Sequence, residues 1–125
     1  MSPKRKGGQE EAHPTSISPR GLVELTDSAA PDFLEHNALA LLLFAAADPA
    51  SQRMRARVAL VQAKLGVAAG ALDVDAHRLV AEALGVRGVP AVLVFARGEV
   101  VDRAMGAPPE SVIEEMVLAR LAPEK

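Results

Sequence analysis

The stretch "ALALLLFAAADPASQRMRARVALVQAKLG" (38–66) limits the possible folds more than any other part of the chain. It opens with 10 consecutive uncharged, mostly apolar residues, Ala38 to Ala47. A surface strand alternates apolar and polar side chains; an unbroken run of this length predicts a strand, 38–45, covered on both faces. The run is about half the roughly 20 residues a membrane helix requires. Asp48-Pro49 then predicts a helix start, with Asp48 as N-cap and Pro49 in the first turn. Met54, Val58, Val61 and Leu65 follow at i, i+4, i+7 and i+11, one apolar stripe. A doubly covered strand next to an amphipathic helix implies a layered α/β domain. The side-chain supply agrees: half of the 125 residues are hydrophobic, mainly Ala, Val and Leu, with three Phe and neither Trp nor Tyr.

The remaining segments are consistent with this. Residues 1–20 hold Pro and Gly but almost no large apolar side chains, and are expected to be a disordered tail before a domain spanning 21–122. "GLVEL" (21–25) reads as a strand, and Thr26 or Asp27 as a cap for a helix through 28–37 with Phe33 and Leu34 inward. "VAAGALDVD" (67–75) is a strand. "DAHRLVAEALG" (75–85) is a helix capped by Asp75 and stopped at Gly85, with Leu79, Val80, Ala83 and Leu84 facing the core. "AVLVF" (91–95) and "EVVDRAM" (99–105) flank Arg97-Gly98, the pattern of an antiparallel hairpin. "ESVIEEMVLARL" (110–121) closes the chain, with Ile113, Met116, Val117 and Leu121 as its inner face. The order is β-α-β-α-β-α-β-β-α.

That order, with "LDVD", "LGVRGVP", "FARGEVV" and "MGA", resembles the thioredoxin family over about residues 22–121. The resemblance implies a three-layer α/β/α thioredoxin fold: a mixed central sheet of about five strands flanked by four helices. It implies a cis peptide bond before Pro90, with the backbone of Val89 offered to an extended peptide. It also sets the family's Cys-x-x-Cys on Pro49-Ala50-Ser51-Gln52, its flanking aromatics on Ala45 and Asp48, and its buried acidic residue on Leu43. The chain has no cysteine. Thiol–disulfide exchange needs a thiolate, so the expected protein is a cysteine-free, non-redox relative and not an enzyme. The bacterial hydrogenase-accessory proteins, similar in fold and also lacking the usual cysteine pair, are a second resemblance, though the letters here match ordinary thioredoxins better.

Few other chemistries survive inspection. Ser51 would need a neighbouring His as base, and His36 and His77 belong to other helices. His13, His36 and His77 have no metal-ligand spacing, and Asp75 reads as a helix cap with Asp73 exposed or paired with a basic residue, so no metal and no cofactor is expected. A formal charge of −2 supplies no field for nucleic acid or anionic lipid. "KRK" (4–6) is followed by no apolar stretch, so it does not read as a signal peptide. The cytoplasm is the expected compartment.

A shape remains: a shallow notch bounded by Pro49, Ala50, Ser51 and Gln52, by Val89 and Pro90, and by Gly106 and Ala107. Arg53, Arg55, Arg57 and Lys64 make the second helix locally positive, Arg53, Arg57 and Lys64 sharing one face at i, i+4 and i+11, and Arg53, Arg55 and Arg57 are a candidate patch for an acidic partner. The expected function is a protein- or peptide-binding module, a co-chaperone or assembly factor, existing as a monomer or weak homo-oligomer. The alternatives are a structural subunit of an oligomer, a hydrogenase-accessory-like maturation chaperone, and an enzyme using Ser51 or the Asp73/Asp75 pair.

Overall fold

The computed structural model describes residues 16–17 and 22–121. The expected tail, 1–20, otherwise lies outside the described residues, as do His13 and the basic cluster at 4–6. The elements are β1 (Ser16–Ile17), β2 (Val23–Leu25), α1 (Ala30–Glu35), β3 (Leu39–Ala45), α2 (Pro49–Leu65), β4 (Ala68–Asp73), α3 (Leu79–Ala83), β5 (Ala91–Ala96), β6 (Glu99–Met105) and α4 (Glu110–Leu121). The sheet order is β1-β2-β4-β3-β5-β6. The five expected strands and four helices form as a mixed sheet between two helical layers, with β1 added as a two-residue edge.

β3 explains the arrangement. It pairs in parallel with β4 and antiparallel with β5, so both its edges are bonded. Its alternating side chains serve two cores. Leu41, Leu43 and Ala45 pack with Met54, Val58 and Val61 of α2 and with Ile113 and Val117 of α4. Ala40, Leu42 and Phe44 pack with Ala30 and Leu34 of α1 and Ala81 of α3. A run that is apolar at every position is what this doubly covered place requires.

α2 begins as expected. The Asp48 side chain accepts from the Ser51 N–H, Pro49 sits in the first turn, and Gly66 closes the helix in the left-handed region at φ 72°. The hairpin turn also forms, at Arg97 (φ 53°) and Gly98 (φ 84°).

Four local expectations need correction. Neither Thr26 nor Asp27 is the N-cap of α1. Thr26 closes the preceding turn, its Oγ accepting from the Ala29 N–H at 3.1 Å, and Ala29 takes the cap position without a side-chain bond. Asp75 does not cap α3, which starts only at Leu79; the Asp75 N–H instead donates to Asp73 Oδ1 at 2.9 Å, closing a turn. Leu79 is 70% exposed and Ala83 is exposed, whereas Ala81 is buried, because the shortened helix turns a different side to the sheet. Leu121, in the last turn of α4, is 51% exposed, while Ile113, Met116 and Val117 are buried as expected.

Candidate functional site

Pairing brings four chain segments to one end of the sheet. β3 and β4 run in parallel and end together at Ala45 and Asp73. β5 starts where β3 ends, with Phe44 opposite Ala91, and β6 finishes beside it, with Ala91 opposite Met105. Residues 46–52, 74–78, 85–90 and 106–109 are therefore neighbours although they lie far apart in sequence. The segments that bound the notch read from sequence meet at this end.

Hydrogen bonds fasten it. The Val74 N–H donates to the Ala45 carbonyl and the Gly106 N–H to the Pro90 carbonyl, each at 2.9 Å. Gly106 takes φ 80°, a conformation that suits glycine. The Val89–Pro90 peptide bond is cis. Arg57 Nη1 donates to the carbonyls of Ala107 and Pro108 at 2.9 and 3.0 Å, tying α2 to the loop after β6.

The individual residues fare differently. Pro49, Gln52, Arg53, Gly106 and Ala107 are exposed, and Ala50 and Val89 are half-buried. Pro90 is buried. Ser51 offers no surface: it is fully buried, its Oγ donating to Asp48 Oδ1 at 2.7 Å and accepting from the Ala46 N–H at 3.0 Å. A fully buried hydroxyl engaged on both sides leaves no room for a substrate. The Ser51 side-chain bond is also the main cause holding the Asp48 carboxyl below its usual range; desolvation opposes it, and main-chain N–H groups add to it.

The positive stripe is largely spent inside the molecule. Arg55 pairs with Glu24 of β2. Arg57 is occupied by the two loop carbonyls. Lys64 bridges to Glu114 at 2.8 Å and to Glu110 at 3.4 Å on α4. Arg53 alone of the four has no partner among the described residues. Arg55, Arg57 and Lys64 sit where α2 meets its neighbours, so each of these three finds a carboxylate or carbonyl across the contact.

The structure adds a feature that sequence reasoning missed. A pocket of about 330 Å3 opens beside Val89, its apolar surface supplied by Val74, Ala81, Val86 and Val89 and its rim by Asp75, Arg78, Glu82 and Arg87. No ion pair joins the four rim charges among the described residues, and they sum to zero. The signal was present in the alternating charges of 75–87, but a reading of 75–85 as one long core helix concealed it. Among the described residues no group of three or more His, Cys, Asp or Glu side chains could hold a metal ion, and no described helix is long and apolar enough to cross a membrane.

No family model and no curated protein matches the chain. Among solved structures it is similar to a single-site mutant of thioredoxin from Halobacterium salinarum NRC-1, with a TM-score of 0.80 and 25% identity over 88% of this chain and 99% of that one. It is also similar in fold to a chain from a structure addressing the thiol resolving mechanism of yeast mitochondrial 1-Cys peroxiredoxin via glutathione/thioredoxin systems. There the TM-score is 0.68 and the identity 21%, over 77% of this chain and 92% of that one.

Proposed function

Because the chain is a thioredoxin-like protein without a single cysteine, we propose that it acts by binding an extended peptide or protein segment rather than by chemistry. Thiol–disulfide exchange is closed to it, since no side chain can supply the thiolate. The observation that carries the reading is the state of Val89. Its N–H and C=O have no partner among the described residues, whereas the neighbouring Pro90 carbonyl is taken by Gly106. An unpaired main-chain unit at a sheet end is a site for strand addition, in which main-chain bonds supply affinity and adjoining pockets supply selectivity.

The adjoining pocket supports this. Residues opposite one another in a strand pair share a face. A peptide residue paired with Val89 therefore lies on the side of the Val89 side chain, which lines the 330 Å3 pocket. Its charge-balanced rim favours an apolar side chain over an acidic one. A co-chaperone or assembly factor is the cellular role this activity would serve.

The test is a titration of isotopically labelled protein with short capped peptides that alternate Val and Thr around a central Phe, Leu, Glu or Lys. The expected result is binding of the Phe or Leu peptide with shifts and exchange protection at the Val89 amide. Binding that leaves this amide unperturbed refutes the pairing. A second reading, a structural subunit of an oligomer, is favoured by the exposure of Val112, Leu118 and Leu121 on α4. Size-exclusion with light scattering decides it: a stable homo-oligomer whose interface covers α4 supports that reading, and a monomer removes it.

A further inference from the structure

α3 is the weakest wall of the candidate site. It has five residues, far too few to hold together by its own hydrogen bonds. Its N-cap, Arg78, makes no side-chain bond to the first turn, and within the helix only Ala81 is buried. The missing acceptor comes from the loop between β2 and α1. Asp27 Oδ2 accepts from the Leu79 N–H at 3.1 Å, and Asp27 Oδ1 accepts from the Val80 N–H at 3.0 Å. The Asp27 N–H donates in turn to His77 Nδ1 at 3.4 Å. One residue thus clasps the start of α3 through three bonds across about fifty positions of sequence.

The two ends of α3 are held differently. At its C-terminal end the Val86 N–H donates to the Ala81 carbonyl at 2.9 Å and the Gly85 N–H to the Glu82 carbonyl at 3.1 Å, so this end is continuous with the loop leading to Val89. The N-terminal end depends on Asp27. Releasing it lets α3 fray or pivot about its fixed end, carrying Arg78 and Glu82 away from the opposite wall of the pocket.

We infer that Asp27 is a positioning residue for the candidate site: from a place outside the pocket lining, it sets the width of the pocket beside Val89 and hence the affinity for an extended peptide. This rests on the peptide-binding reading above. A purely architectural role predicts something else, a loss of protection throughout the sheet.

The test uses the full chain with Asp27→Ala, which removes both acceptors, and Asp27→Asn, which leaves one. In Asp27→Ala the Leu79 and Val80 amides exchange about five- to tenfold faster, the usual consequence of losing a helix cap, while the buried Leu42 and Val94 amides keep their rates. The dissociation constant for the capped Val/Thr peptide with central Phe rises by a similar factor, and Asp27→Asn falls between. Unchanged exchange at Leu79 and Val80, or uniform acceleration including Leu42 and Val94, overturns the clasp. Faster local exchange with unchanged peptide affinity overturns the positioning role. A wild-type chain that binds none of the peptides overturns the peptide-binding reading itself and this inference with it, while the exchange rates still report whether the clasp exists.

Discussion

Replacing Arg57 with alanine separates two meanings of a basic helix. If Arg57 is a docking cation, its loss leaves stability unchanged and weakens only a charged partner. The geometry says otherwise. Its Nη1 donates to the Ala107 carbonyl at 2.9 Å, in an exposed bond, and to the Pro108 carbonyl at 3.0 Å, in a part-buried one, and it lies 3.9 Å from Met54 Sδ. A hydrogen bond from a charged donor contributes about 1.5–3 kcal/mol when desolvated. With one bond open to solvent, the pair is discounted to a loss of about 1–2 kcal/mol. Arg53, one turn earlier, is exposed and bonds to nothing among the described residues, so Arg53→Ala is expected within about 0.5 kcal/mol of wild type. Urea denaturation followed by circular dichroism measures both, and an unchanged m-value keeps the comparison valid. Arg57→Lys keeps the charge but loses the planar fork, and falls between wild type and Arg57→Ala. Equal stabilities for Arg53→Ala and Arg57→Ala, or full recovery by Arg57→Lys, refutes the reasoning.

Other outcomes follow from the same structure. A Cβ added at Gly70 would lie 2.5 Å from Leu25 Cδ1 and 3.3 Å from Phe33 Cε2, so Gly70→Ala forces a buried leucine aside and is expected to cost about 1–3 kcal/mol in urea denaturation. Arg97 occupies a left-handed turn position at φ 53°, and Arg97→Asn raises the melting temperature, with a gain of several tenths of a kcal/mol. Glu114 is held below its usual range, chiefly by the hydrogen bond from Lys64 and then by Glu110, and Asp48 chiefly by Ser51. A carboxylate whose folded pKa is depressed stabilises the fold above its unfolded value near 4 and loses that contribution as pH falls through the folded value, so acid unfolding steepens below about pH 4. In Ser51→Ala the Asp48 carboxyl resonance titrates at higher pH; an unmoved titration refutes the assignment of cause.

Where the chain was legible, the relevant physics was local. The ten-residue apolar run announced β3, since no partly exposed strand tolerates it. Asp48 and Pro49 marked the start of α2 because a cap acts within four residues of itself. Arg97-Gly98 marked the hairpin for the same reason. The closeness of the segments holding "LGVRGVP" and "MGA" was also readable, through the resemblance, and the Gly106 N–H bond to the Pro90 carbonyl joins them.

What the sequence could not reveal were partners chosen across space. Asp27 looked like the cap of the helix that follows it and instead holds a helix more than fifty residues on. Arg57 looked like a free cation and is a tie to the loop after β6. Ser51 read as one edge of the notch and is sealed between Asp48 and Ala46. A side chain's type states which bonds it can make, and its local spacing decides those within a helical turn. Which donor or acceptor lies opposite it from fifty positions away depends on how the layers stack, and only the tertiary structure decides that.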